Sequence, residues 1–475
     1  MKSQIRFRDS VIMCSTAISR RHFAPLFLLP FLIQSVAISG LSQPKTVRVQ
    51  PEIQFQRMDG FGISVGNVGA KIIMSQSADK RSKLLEMLFG PSGLRANIIR
   101  AGVTWSGKRL PMTHPLYLRG FMYQFTEEEN ETDLFQLFRE AQRHHEMLWN
   151  ACVWTPPVQW KDNQSLEGGE LLPQHYEDFA TYLAAYLQFY RNLRYQRIDV
   201  LSLQNEPNQS KSAPSCLWKS EQLKSFLKVV TRIFAEKSIT TKLMLPDAPW
   251  EATRPYVLPI VEDSETRGLL SYVSVHTRGT ETTAEPRTEL KQLHKRYNLR
   301  LWQTEYSATS DQSPAVMPAA LRFAKEVMLD LSQAECHAWL GTPFTDPQSG
   351  IGGLFSDAGN EWKPTKLFAA FSQFSRFVPR NAVRIAATVA SSPLVAFRNP
   401  EYNSVILIFL NSGREAANET FESQQWTFER ILAYRTSSTE DCSIVPFTGP
   451  SGSRISVVLP PESITTFVAR IRRVG

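Results

Sequence analysis

The sequence predicts an α/β protein, a (β/α)8 TIM barrel with an appended β-sandwich side domain. Three observations carry this: eight short apolar runs alternate with longer amphipathic segments up to Phe377; the texture then changes to short alternating runs; and one isolated strand-like segment precedes the whole series.

The apolar runs lie at 58–61, 96–100, 148–154, 200–204, 242–245, 272–276, 299–304 and 336–340. Runs this short, set off by turn residues, suit strands buried on both faces. Between them lie stretches such as "DKRSKLLEMLFG", "DLFQLFREAQRHHEM", "HYEDFATYLAAYLQFYRNL", "SEQLKSFLKVVTRIFAE", "RTELKQLHKRY" and "PAVMPAALRFAKEVMLDL", with "KPTKLFAAFSQFSRF" after the last run. Their apolar residues recur at helical spacing. Strand and helix alternating eight times is the pattern of a parallel barrel, here assigned to 58–378. Beyond it, "AVRIAATV", "SVILIFLN", "SRISVVLP" and "ITTFVARIRR" are β-branched and alternating, which makes 379–475 a β-sandwich. The strand at 46–57 is expected to join that sandwich. No short-period repeat, low-complexity tract or heptad pattern interrupts the series.

The chain has 475 residues, 53 basic against 45 acidic, for a formal net charge of +8. Lys2, Arg6, Arg8, Arg20 and Arg21 against Asp9 supply half of that excess, so the remainder is too weakly basic to argue for nucleic acid. In "SRRHFAPLFLLPFLIQSVAISG" two arginines precede an apolar run broken by Pro25 and Pro30. The run is too short for a membrane span, and residues 1–39 read as an export signal of the bacterial twin-arginine type, with small residues at 37–39 for cleavage. An ordinary secretory signal and an uncleaved anchor are the competing readings, and Met13 is an alternative start. The protein is then exported to the periplasm or the outside of the cell, where Asn130, Asn163, Asn208 and Asn418 matter as glycosylation sequons only in a eukaryotic host. Cys14, Cys152, Cys216, Cys336 and Cys442 show no metal or redox spacing. No metal or cofactor is implied, and a Cys216–Cys442 bridge is left open.

A barrel of this kind places its active site at the C-terminal ends of the strands. The residues there are Arg100, Trp154, Asn205, Glu206, Asp247, His276, Glu305 and Trp339. In "LSLQNEPNQS" and "LWQTEYS" a strand runs directly into a glutamate, Glu206 after the fourth and Glu305 after the seventh. Two carboxyls across one barrel mouth are what glycoside cleavage with retention needs, one as nucleophile and one as proton donor. The two roles demand different protonation at one pH, which apolar walls, neighbouring charge and hydrogen bonds can impose. Glu206 reads as the acid/base and Glu305 as the nucleophile. Asn205 is placed to donate to a sugar hydroxyl, and Tyr306 and His276 to orient Glu305.

The motifs "MDGFGISVG", "ANIIRAGV", "VWTPPVQWKDNQSLEGGEL", "LSLQNEP", "SCLWKSEQLKSFL", "LWQTEYS" and "PTKLFAAFSQFSRFVPRNAVRI", in that order, resemble glycoside hydrolase family 30, whose members include glucosylceramidases, β-1,6-glucanases, β-1,6-galactanases and xylanases. The resemblance runs from Val47 to the C-terminus. It implies Glu206 as acid/base, Glu305 as nucleophile, and Arg100, Trp154, Asn205 and Trp339 in the sugar-binding wall. Alternatives stand beside this: Arg100 as the ion-pair partner of a carboxylate, Trp154 and Trp339 as barrel core, and His276 as a locally satisfied strand end. Two stretches depart from the family. "AGVTWSGKRL" lacks the acid that grips the terminal sugar in glucosylceramidases, and "VSVHTRGT" offers Arg278 where a tyrosine is usual. Arg278 either lies near the nucleophile, lowering its pKa or meeting an acidic sugar, or points outward. The expected activity is a retaining β-glycosidase acting on a polysaccharide or glycoconjugate. Glucosylceramidase-type action on a glycolipid and a catalytically silent carbohydrate-binding protein are the alternatives, and the oligomeric state is open.

Overall fold

The computed structural model describes residues 45–475 apart from 104–128, 212, 279–281, 308–315, 345–352, 360, 389–391, 448, 450 and 475. The expected export signal therefore lies outside the described residues.

The first strand, β1 (Lys45–Arg57), stands outside the barrel. Eight parallel strands then close on one another: β2 (Gly60–Ser64), β3 (Ile98–Gly102), β4 (Leu148–Cys152), β5 (Val200–Ser202), β6 (Lys242–Pro249), β7 (Tyr272–Arg278), β8 (Arg300–Ser307) and β9 (Ala338–Gly341). Closure joins β2 to β9, with Phe61 opposite Trp339. The barrel interior is filled by Ile98, Val200, Met244, Trp302, Ala338 and Leu340, a packed plug rather than a channel. At Gly62 a Cβ would meet the Ile98 carbonyl oxygen at 2.4 Å, so this strand pairing admits no side chain there.

Nine helices occur among the described residues: α1 (Gly66–Met74), α2 (Ala78–Phe89), α3 (Glu129–Gln142), α4 (Tyr176–Leu193), α5 (Ser220–Glu236), α6 (Trp250–Glu262), α7 (Ala284–Arg296), α8 (Met317–Ser332) and α9 (Lys366–Ser375). Their apolar faces cover the barrel. Phe138 of α3 and Tyr190 of α4 both lie 4.6 Å, centroid to centroid, from Trp149 of β4. None of the helices searched is long and apolar enough to cross a membrane.

A small hairpin, β10 (Phe355–Asp357) with β11 (Trp362–Pro364), precedes α9. The remaining strands are β12 (Val383–Ala387), β13 (Leu394–Asn399), β14 (Ser404–Asn411), β15 (Ala417–Glu422), β16 (Trp426–Thr436), β17 (Ser443–Val445), β18 (Arg454–Leu459) and β19 (Ser463–Arg473). With β1 they form one nine-stranded sheet, β17-β16-β19-β14-β13-β12-β1-β15-β18. β1 bridges its two wings, antiparallel to β12 and parallel to β15. The wings share one core, where Phe421 of β15 touches Phe428 of β16 and Phe467 of β19. The sheet thus packs on itself as a sandwich.

Strand boundaries move from the sequence expectation mainly at β6, which continues past 245 to Pro249. Pro246 interrupts the apolar run, and a proline argues against a central strand. The structure absorbs it in a register slip: Leu245 pairs with Val273 and Ala248 with Val275, so β6 carries one extra residue there. Cys152, Cys216, Cys336 and Cys442 are all buried and unpaired, so no Cys216–Cys442 bridge forms.

Candidate active site

Two register slips shape the site. One is that of β6, which holds Asp247 at φ +52°. The other is in β8, where Val275 pairs with Gln303 but His276 pairs with Glu305, leaving Thr304 as the extra residue. Such bulges re-aim side chains and are enriched beside active sites. The Thr304 hydroxyl donates to Asp247 Oδ1, tying the two slips together.

Glu206 follows β5 with φ +47°, in the left-handed region. A glutamate there is uncommon, and its successor Pro207 further disfavours compact backbone conformations at this position. Such a conformation costs about 1–3 kcal/mol and persists only where its surroundings impose it. Here the Glu206 N–H donates to the Asp247 carbonyl at 2.8 Å, and Asn205 N–H to the Val153 carbonyl at 2.7 Å. Pro207 accepts from the Trp218 N–H at 3.0 Å.

Arg100 of β3 is wholly buried. Its guanidinium donates to Asn205 Oδ1 at 2.6 Å, Ser64 Oγ at 2.9 Å and Glu305 Oε2 at 3.2 Å, and lies 3.6 Å from Asp247 Oδ2. It also sits 4.9 Å from the centroid of the half-buried Trp154 ring. These contacts place Arg100 beneath the site, as the partner of Glu305 and Asp247. Burial would lower its pKa, but Cys152, Asp247 and Glu305 hold it above the ordinary value.

His276 of β7, also buried, joins two carboxylates: Nδ1 lies 3.1 Å from Glu206 Oε1 and Nε2 lies 3.6 Å from Asp247 Oδ1. Burial opposes ionisation of Asp247, yet Arg100 and His276 hold its carboxyl well below the usual range. The same balance applies at Glu305. Burial pushes its carboxyl up, and His276, Arg100 and Arg278 pull it down to a net depression. Its side chain is 23% exposed, whereas that of Glu206 is 2% exposed.

Two further cations reach Glu206. Lys211, from the loop after β5, pairs with Oε2, and Arg278, at the end of β7, pairs with Oε1. Arg278 therefore turns toward both glutamates instead of outward. Sequence reasoning missed Lys211, which stands in a Ser- and Asn-rich loop with no pattern to mark it. Asp247 was visible as a strand-end residue, but nothing in "LMLPDAPW" shows that it faces Arg100 and His276.

Two of the expected site residues, Tyr306 and Trp339, face elsewhere. Tyr306 is one residue past Glu305, and successive strand side chains point to opposite faces. Its ring packs on Phe323 of α8 at 4.9 Å and on Trp339 at 5.6 Å, and burial pushes its hydroxyl far up. Trp339 is fully buried among Phe323, Phe371 and Tyr306, and its Nε1 donates to Asp330 Oδ2 at 2.9 Å. Both belong to the core between barrel and helices rather than to a sugar wall.

Oxygens of Glu206 and Glu305 and a nitrogen of His276 all lie within 4.8 Å of one another. That grouping has the composition of a metal site. Its oxygens, however, already meet Lys211, Arg278 and Arg100, so cationic side chains occupy the positions a metal would need. The donor set fits a paired-carboxylate reaction better.

No family model matches the chain. It is similar to the glucuronoxylanase XynC of Bacillus subtilis, 22% identical over 355 residues that cover 72% of this chain and 79% of that relative. Among solved structures it is similar to the catalytic domain of the GH30 xylanase C from Talaromyces cellulolyticus, with a TM-score of 0.73, 22% identity, and 90% of this chain and 100% of that one covered. It is also similar to the endo-β-1,6-glucanase BT3312, with a TM-score of 0.72, 19% identity, and 90% of this chain and 95% of that one covered. The structural likeness is one of fold. In that fold, and in the sequence shared with its curated relative, the chain is similar to glycoside hydrolase family 30.

Proposed function

We propose that this protein is a glycoside hydrolase that cleaves a β-glycosidic bond with retention, Glu305 attacking the anomeric carbon and Glu206 donating and then recovering the proton. One observation carries the reading. One oxygen of each glutamate lies within 4.8 Å of the other's at the C-terminal ends of β5 and β8, a close approach in keeping with the roughly 5–5.5 Å between the carboxyl groups of retaining enzymes.

The roles follow from the surroundings. Glu305 is the more exposed of the two and is held ionised by Arg100, His276 and Arg278 against the effect of burial, as a nucleophile requires. Glu206 is buried and hydrogen-bonded to His276, which fixes its carboxyl at the barrel mouth. Asn205, fixed through its Oδ1 by Arg100, stands beside the acid where a sugar hydroxyl would lie. Trp154 provides a partly exposed ring for a sugar face. The relatives' xylan and β-1,6-glucan specificities do not agree with one another, so the substrate class proposed is an exported or cell-surface carbohydrate, reached through the N-terminal export signal.

The test is hydrolysis of a panel of aryl β-glycosides by wild type and Glu305→Gln, followed by labelling with a matched fluorosugar. Turnover lost in the variant and a label on Glu305 are expected; a label on Glu206 would reverse the roles. Replacing both Arg20 and Arg21 by lysine tests export, which should fail in a bacterial host. A second reading, a carbohydrate-binding protein without turnover, is favoured by the two cations on Glu206, since equal background rates in wild type and variant would follow if they never let go.

A further inference from the structure

We propose that Lys211 and Arg278 form an oxyanion-binding cleft on the leaving-group side of Glu206, selecting substrates whose departing sugar carries a carboxylate, sulfate ester or phosphate ester. The inference rests on Glu206 being the proton donor. A donor stands beside the departing oxygen, so the cations that touch Glu206 stand beside the departing sugar.

The geometry has two parts. Each carboxylate oxygen of Glu206 carries one cation, Lys211 on Oε2 and Arg278 on Oε1. Their side chains are 36% and 37% exposed over an acid that is 2% exposed. They arise from different elements, the loop after β5 and the end of β7, and converge on one point. A guanidinium fork suits planar or tetrahedral oxyanions, and the ammonium adds a point charge.

The same contacts create a chemical requirement. A cation on each oxygen favours the carboxylate over the acid, while a proton donor must begin as the acid. An anionic group on the departing sugar resolves this. It draws Lys211 and Arg278 onto its own oxygens, and its negative charge beside Glu206 then favours the protonated form. Glu206 takes that proton from solvent. It delivers the proton to the glycosidic oxygen as Glu305 Oε forms its bond to the anomeric carbon and the bond to the departing sugar breaks. A neutral departing sugar leaves both cations where they are.

Two measurements test this. The first is calorimetric binding of methyl β-glucuronide, glucose 6-sulfate, inorganic phosphate and methyl β-glucoside to the Glu305→Gln protein, with and without Lys211→Gln and Arg278→Gln together. The charged sugars should bind on the order of tenfold more tightly than the neutral one, and the double replacement should erase the difference. Arg278→Lys, which keeps the charge, should preserve most of it and separates loss of the cation from loss of the fold. Whether carboxylate, sulfate or free phosphate binds best identifies the source of the oxyanion. The second is kcat/KM for two oligosaccharides of the same linkage that differ only in a carboxylate on the departing sugar. Wild type should prefer the charged one, and the double variant should lose that preference while improving on the neutral one. Equal binding of charged and neutral probes, or a preference that survives the double replacement, overturns the cleft. Hydrolysis without charge preference removes the cleft and leaves the hydrolase; selective binding without any hydrolysis leaves an oxyanion site but overturns its leaving-group role together with the hydrolase.

Discussion

The two ends of the barrel both bury arginine, carboxylate and histidine, yet they are built to opposite purposes. At the base, Glu335 meets Lys291 at 2.9 Å, Lys295 at 3.1 Å and Arg384 at 3.3 Å. Arg384 also reaches Gln56 of β1 at 2.8 Å, so the cluster ties the barrel to the sheet. His337 there accepts the Leu301 N–H on Nδ1 at 3.2 Å, which requires that nitrogen unprotonated, and burial with nearby Arg300 pushes its pKa down to about 3. At the mouth, His276 faces two carboxylates instead, and Glu305 stays open to solvent. The base surrounds the buried Glu335 carboxylate with three cations; the mouth keeps one carboxylate accessible and sets cations on a second, buried one. Buried charge by itself therefore does not mark a site. Two carboxylates aimed by register slips at the strand C-termini do.

The sharpest way to break this contrast is Glu305→Gln, which should lower kcat/KM by about four orders of magnitude or more while the melting temperature stays near that of wild type; a mild kinetic effect would put the mouth in the same class as the base. Next in size, Arg100→Gln should destabilise the fold by about 3–5 kcal/mol in denaturant titration, because Asp247 and Glu305 would lose the cation that balances them.

Arg278→Gln probes the pH response. With Glu305 as nucleophile the carboxylate is the active form, and its pKa lies below the ordinary 4.5, so activity should persist as pH falls to that value and be lost only below it. Removing Arg278 should move the acid limb of kcat/KM upward; an unmoved limb would mean Arg278 does not act on Glu305.

At the base the pH response comes from a histidine held neutral. Unfolded chain binds a proton at His337 near pH 6.5, the folded protein only near 3, so stability contributed by neutral His337 is full above about 6.5 and is lost as pH falls toward 3. His337→Gln should flatten the melting temperature over that window. Glu335→Gln should cost about 2 kcal/mol, discounted because Lys291 and Lys295 are partly solvated, and leave kcat unchanged. The smallest effect belongs to Trp339→Phe, about 1 kcal/mol from the lost hydrogen bond to Asp330, with KM unaltered; a raised KM would return Trp339 to the sugar wall.

Much of this was legible in the sequence, for local reasons. The eight apolar runs fall where the barrel strands form because a strand buried on both faces must be apolar along its length. Glu206 and Glu305 stood out because each ends such a run with a charge, and barrel topology brings the C-terminal ends of all strands to one mouth. Strand-end position does not tell which face a side chain takes, so Tyr306 was expected in the site and Trp339 was left between sugar wall and barrel core; the slip at Thr304 decided the facing for β8. Lys211 follows Glu206 by five residues, but Arg278 at the end of β7 reaches it only through the pairing of the folded strands. The fold class and the two strand-end glutamates were written in the chain itself, since periodicity and strand ends are properties of the sequence. The charge around that pair was decided by the tertiary structure, because electrostatic neighbours are set by distance in space.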